Sequence, residues 1–129
     1  MLTTIYRGDQ YTWRAMGDMA SSEQGSSATN VRVLEISDLV TRFYVDEGTV
    51  HAVNGVSLVL HEGESLALVG ESGSGKSVTM LSVMGLIPKS SGEILSGRVL
   101  FEGQNLLELD NNQLCRIRGK DIAMVFQDP

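Results

Sequence analysis

Short apolar runs separated by polar turn-formers dominate the chain from Val31 onward. Val31-Arg32-Val33-Leu34-Glu35-Ile36 predicts a strand, and Leu39 to Tyr44 predicts a second extended segment. Asp46-Glu47-Gly48 is a turn, and Val50 to Val53 and Val56 to Leu60 are further strand segments split at the turn dipeptide Asn54-Gly55. After the turn His61-Glu62-Gly63-Glu64, the run Ser65-Leu66-Ala67-Leu68-Val69 reads as a short buried strand and Val78 to Met84 as a buried helix. Pro88 and Ser90-Ser91-Gly92 break the pattern, and Gly97-Arg98-Val99-Leu100-Phe101 alternates as a strand closed by the turn Glu102-Gly103-Gln104. Short helices are expected at Leu106 to Leu109 and Gln113 to Arg118, and a buried strand over Asp121-Ile122-Ala123-Met124-Val125-Phe126. The order predicts an α/β fold with a mixed sheet, in which antiparallel strands precede a strand–loop–helix unit.

Residues 1–30 follow no such period. Ser21 to Asn30 is a Gly/Ser-rich linker, and Met1 to Ala20 carries Tyr6, Tyr11 and Trp13 without a helix or strand pattern. The expectation is a mostly disordered N-terminal extension ahead of a folded part at 31–129; translation starting at Met16 or Met19 would also explain it.

Between the predicted strand and helix lies Gly70-Glu71-Ser72-Gly73-Ser74-Gly75-Lys76-Ser77, which meets every fixed position of G-x-x-x-x-G-K-[ST]. A strand, a glycine loop and a helix N-terminus form an anion site from backbone: successive N–H groups point inward and the helix dipole adds about half a positive charge. Lys76 is expected to reach the β- and γ-phosphates of a nucleotide, and the Ser77 hydroxyl to hold Mg²⁺. Val78 opens the helix behind them. The bland alternative is a Gly/Ser-rich surface turn, but the flanking pattern argues for a phosphate loop of a P-loop NTPase.

Bulk properties narrow the class. With 129 residues, 42% apolar and a net charge of −6, the chain is long enough for one small core. The acidic balance disfavours a nucleic-acid partner. The basic cluster Arg116-Ile117-Arg118-Gly119-Lys120 reads as a solvated helix end, Cys115 as a small apolar filler, and His51 and His61 as ordinary surface or strand residues. A single cysteine precludes an internal disulfide. No apolar run reaches the roughly 18 residues of a membrane span.

Several stretches together resemble the first half of an ATP-binding cassette (ABC) transporter ATPase. Ala52-Val53-Asn54-Gly55-Val56-Ser57-Leu58 resembles the strand before the family's phosphate loop, Ser96 to Leu106 its hairpin after the first helix, and Ile122 to Pro129 the strand entering its glutamine loop. Gly70 to Pro88 and Arg118 to Pro129 are similar to importers of dipeptides, oligopeptides and nickel. The resemblance implies an incomplete ABC-type nucleotide-binding domain that binds Mg·ATP and, in the complete protein, hydrolyses it to power import. It implies transmembrane permease subunits and a second, head-to-tail ATPase subunit, identical or not, as partners, at the cytoplasmic face of the membrane. It places Gln127 as the residue sensing γ-phosphate and Mg²⁺. It also gives the adenine-stacking aromatic as Phe43, with Tyr44 as its rival.

Two segments imitate later family motifs. Leu106-Leu107-Glu108-Leu109-Asp110 resembles the acidic strand, but Asn111 stands where the catalytic Glu belongs. Leu95-Ser96-Gly97 begins like the LSGGQ signature but continues Arg98-Val99. Both histidines precede the phosphate loop, so a switch histidine is absent too. These residues alone are therefore expected to bind nucleotide weakly, with little turnover, and to expose apolar surface and strand edges. Two other readings stand beside this one: a nucleotide-binding module without turnover, and a phosphate-loop kinase or GTPase. The latter would need N-K-x-D or an Arg-rich lid, and the sequence has neither.

Overall fold

The computed structural model describes residues 31–125. The predicted extension at 1–30, and Gln127 with its neighbours at 126–129, lie outside the described residues.

Strands β1 (Arg32–Val45) and β2 (Gly48–His61) form a long hairpin closed at Asp46-Glu47. Strand β3 (Gly92–Phe101) pairs with the other edge of β1, and β4 (Gln104–Asn105) turns back along it through Glu102-Gly103. The order is β2-β1-β3-β4 with every pairing antiparallel. Helix α1 (Lys76–Val83) lies between β2 and β3 in sequence. A 3-10 turn (Leu106–Glu108) and helix α2 (Asn111–Ile117) follow β4.

One face of this sheet carries the core. Leu34, Ile36 and Leu39 of β1, Val53 and Leu60 of β2, and Val99 and Phe101 of β3 are buried, together with Val83, Met84, Leu106, Leu114 and Ile122. A polar tie runs through the same layer: Thr41 Oγ1 of β1 and Ser82 Oγ of α1, both fully buried, lie 2.8 Å apart. Ser82 also donates to Val78 O at 2.7 Å, so neither hydroxyl is stranded.

The structure departs from sequence expectation in several places. The two predicted segments at 31–36 and 39–44 are one strand, interrupted by an irregularity at Asp38 (φ 48), whose N–H donates to Ser57 Oγ at 2.8 Å. Asn54-Gly55 reverses nothing. β2 runs straight through it, and Gly55 (φ 77) is the extra residue of a bulge, because Leu39 faces Val56 while Val40 faces Asn54. A local turn preference lost to a partner strand that pairs along the whole length. The strand predicted at Gly97–Phe101 starts earlier, at Gly92.

Two predicted buried strands do not form. Residues 65–69 have no strand assignment, and Leu66 and Val69 are exposed, Val69 at 94%. At 121–125 only Ile122 is bridged, in parallel to Arg118, while Val125 is 66% exposed. Extended backbone becomes a strand only when a neighbour takes up its N–H and C=O groups. Among the described residues no strand lies beside either segment, so the parallel part of the expected mixed sheet is not built here. The antiparallel part is.

Candidate nucleotide site

The loop at 70–75 emerges from residues 65–69 and closes on itself before α1 begins. Ser74 N donates to Glu71 O at 3.2 Å. Gly75 is the N-cap at φ 89, ψ 0, and no side chain caps the helix there. The loop and the sheet meet at this glycine. A Cβ on Gly75 would lie 2.3 Å from the backbone oxygen of Ala52, and Ala52 is itself the extra residue of a second bulge in β2. A bulge that bends β2 and a residue without a side chain together let the helix start sit directly on the strand. Thr79 then anchors the first turn: its N–H and its hydroxyl both donate to Gly75 O, at 2.8 and 2.9 Å.

Lys76 folds back over the loop. Its ammonium donates to Gly70 O at 2.8 Å, Glu71 O at 2.6 Å and Ser74 Oγ at 3.0 Å. These bonds hold a positive charge at the mouth of the turn. No acidic residue stands in the first turn of α1 to neutralise it. Ser77 is exposed at the helix start, and Val78 is half-buried against the core.

A cleft of about 530 Å³ opens over this loop, lined by Gly70, Ser72 to Val78, and, across it, by Phe43, Val50, His51 and Ala52. Phe43 faces Val50 across the hairpin and Gly92 on the other side, where a Cβ would meet its ring at 2.7 Å. The ring is thus held against a bare backbone edge. Tyr44 is placed differently. It is half exposed, and its hydroxyl donates to the Glu93 carboxylate, which holds the phenol above its ordinary value of 10.0. Of the two rival aromatics, only Phe43 lines the cleft. Glu71, exposed in the loop, is not among the lining residues.

Val50, His51 and Ala52 were not singled out as site residues from sequence. Their signal was available only as cross-strand register: Phe43 pairs with Val50 and Arg42 with His51. Two further readings are corrected. Cys115 is exposed, not a core filler, because the buried face of α2 is occupied by Leu114. Arg118 is not a solvated helix end; its Nε donates to Met84 O at 2.7 Å. The decoys behave as decoys. Asp110 caps α2, accepting from Gln113 N at 2.8 Å, and Leu95-Ser96-Gly97 lies inside β3.

The family follows from comparison with known proteins. The family model described as ABC transporter matches residues 53–129. The chain belongs to the ABC transporter family. A probable peptide ABC transporter ATP-binding protein of Sinorhizobium fredii is 48% identical over 97 residues, which is 75% of this chain and 29% of that protein. The dipeptide transport ATP-binding protein DppD of Bacillus subtilis is 49% identical over 98 residues, 76% of this chain and 29% of its own length. This ABC chain therefore spans about three tenths of the length of these relatives. Among solved structures, the dimeric ABC transporter cassette MJ0796 superposes with a TM-score of 0.55 at 28% identity. That match covers 65% of this chain and 34% of the cassette. The fold is thus part of an ABC nucleotide-binding domain, represented by its antiparallel sheet and phosphate loop.

Proposed function

We propose that this chain is the first part of an ATP-binding subunit that hydrolyses Mg·ATP to drive peptide import. One observation carries the reading: a phosphate loop with its lysine and an aromatic side chain from the sheet line a single cleft. In this reading the loop N–H groups and Lys76 take the phosphates, and the Phe43 ring stacks on the base. The residues fit such a ligand. Gly70 and Gly75 leave no Cβ where the loop is tightest, the positive ammonium stands unopposed by a first-turn acid, and the cleft is long enough to reach an aromatic wall.

Mg²⁺ would be held by the Ser77 hydroxyl and the phosphates, with Gln127 near the γ-phosphate. Such a cation typically keeps waters and substrate phosphates as most of its ligands, so one protein hydroxyl suffices. The metal would supply charge neutralisation across the β- and γ-oxygens. Ser72 and Gly73 would contribute backbone donors from the cleft lining, whereas Glu71 lies outside that lining and the Ser74 N–H is taken up by Glu71 O. The net charge of −6 disfavours nucleic acid as a partner and is compatible with a protein one.

The relatives named for peptide and dipeptide transport motivate the substrate class. By the same reasoning the complete protein pairs head to tail with a second ATPase subunit and works on transmembrane permease subunits from the cytoplasmic face. No helix among the described residues is long and apolar enough to cross a membrane. The decisive experiment is Lys76→Ala with binding of Mg·ATP measured by equilibrium titration. Loss of binding is expected, and unchanged affinity would remove the phosphate-loop assignment.

A further inference from the structure

The carboxyl end of α1 is held by a side chain from outside the helix. Arg118 Nε donates to Met84 O at 2.7 Å and Nη2 to Gly85 O at 2.9 Å, while Nη1 donates to Asn111 Oδ1 at 3.2 Å. The carbonyls where a helix stops lack intrahelical partners and carry the negative end of its dipole. α1 has no basic residue in its own last turn. The guanidinium fork therefore supplies both the missing donors and the missing charge.

The fit depends on Gly85, which sits at φ 61. A Cβ there would lie 2.8 Å from Leu114 Cδ1 and 2.9 Å from Arg118 Nη2. The approach of Arg118 thus requires a residue with no side chain and a left-handed backbone at that point.

Helix α1 is only eight residues long and begins at Lys76. At 1.5 Å per residue it spans about 12 Å, a short rod whose two ends are coupled by its own hydrogen bonds. The Thr41–Ser82 hydroxyl pair ties it to β1 near its carboxyl end, where Val83 and Met84 also pack into the core. The Arg118 fork adds a directional polar fixed point just beyond Ser82, at the Met84 and Gly85 carbonyls.

We propose that Arg118 is a positioning residue for the nucleotide. By clamping the carboxyl end of α1, it fixes the helix whose first residues, Lys76 and Ser77, present the phosphate-binding groups. The proposal rests on the phosphate-loop reading above. It involves no contact between Arg118 and the ligand.

The test is the affinity of the full chain for Mg·ATP, together with the thermal midpoint of the nucleotide-free protein. Removing the fork in Arg118→Met should weaken binding about tenfold, as small displacements of positioned groups do. Gly85→Ala keeps the charge but displaces the guanidinium, and should weaken binding comparably. Arg118→Lys keeps the charge and one donor, and its affinity should fall between those of Arg118→Met and the parent. Affinity is read well below each variant's midpoint, so a change reports geometry and not the folded fraction. A lowered midpoint with unchanged affinity in Arg118→Lys and Gly85→Ala would overturn the proposal, leaving Arg118 as a stabilising contact only. If Arg118→Met does not fold, those two variants decide alone. Lys76→Ala run alongside separates the two ideas: if it binds normally, the site reading fails, and if it alone loses binding, only the clamp fails.

Discussion

At Gly75 the whole site depends on one missing methyl group. A Cβ there would collide with the Ala52 carbonyl at 2.3 Å, in a backbone conformation (φ 89) that side chains rarely adopt. Gly75→Ala should therefore destabilise the fold by about 1–3 kcal/mol and push the loop off β2. Urea unfolding and Mg·ATP titration would register both effects. A second residue-level consequence concerns Tyr44, whose hydroxyl bonded to Glu93 is held above its ordinary value. A raised group contributes stability that is present below its unfolded value of 10.0 and is lost as pH rises through the folded one. Glu93→Gln should bring the Tyr44 titration back down towards 10.0, seen as an earlier rise in phenolate absorbance with increasing pH. Glu64 moves the opposite way. Hydrogen bonds from the backbone and ring of His61 hold its carboxyl below 4.5, so its contribution is present above that value and is lost as pH falls through the folded one.

The elements were unequally legible. The helix at Val78 to Met84 appears as α1 two residues early, and the helices after β4 appear close to where their patterns put them. Asp110 and Gln113 explain the last of these, since they form a reciprocal capping box readable in sequence. Strands fared worse because pairing is not local. Asn54-Gly55 looks like a hairpin turn, yet β1 pairs on both sides of it, and the dipeptide became a bulge. The apolar run at 65–69 is a good strand sequence without a neighbouring strand among the described residues. The tie between α1 and β1 was invisible for the same reason, as Thr41 and Ser82 are forty-one positions apart. Thr41→Val should cost about 1–3 kcal/mol by removing one partner of a buried hydroxyl pair. Thr41→Val combined with Ser82→Ala should cost less than the sum of the two single changes, because they share one interaction. A double-mutant cycle in denaturant measures the difference.

At the scale of the molecule, the described residues show a sheet with one well-covered face and, outside the sheet, several exposed apolar residues. Val69, Val125 and Leu66 stand exposed at 94%, 66% and 43%. Exposed apolar residues outside the sheet favour association between chains. Prepared as these 129 residues, the chain should therefore self-associate with rising concentration. Val69→Lys should reduce the light scattering without changing the circular dichroism of the sheet; an unchanged scattering curve would point to another surface.

The sequence by itself determined the glycine-loop motif, the helix behind it, the turns at 46–47 and 102–103 and the family. Each of these is written in contiguous residues, so backbone preference and spacing are enough to read it. It also pointed to Phe43 over Tyr44, though only through the family resemblance. Tertiary structure alone decided which strands exist, that Asn54-Gly55 bends β2 and does not end it, and that Arg118 reaches back to Met84 and Gly85. It alone brought Val50, His51 and Ala52 to the cleft wall opposite the loop. A strand, a bulge and a clamp are each defined by a partner distant in the chain. Their energies appear only once hydrogen-bonding groups and apolar faces from separate segments meet.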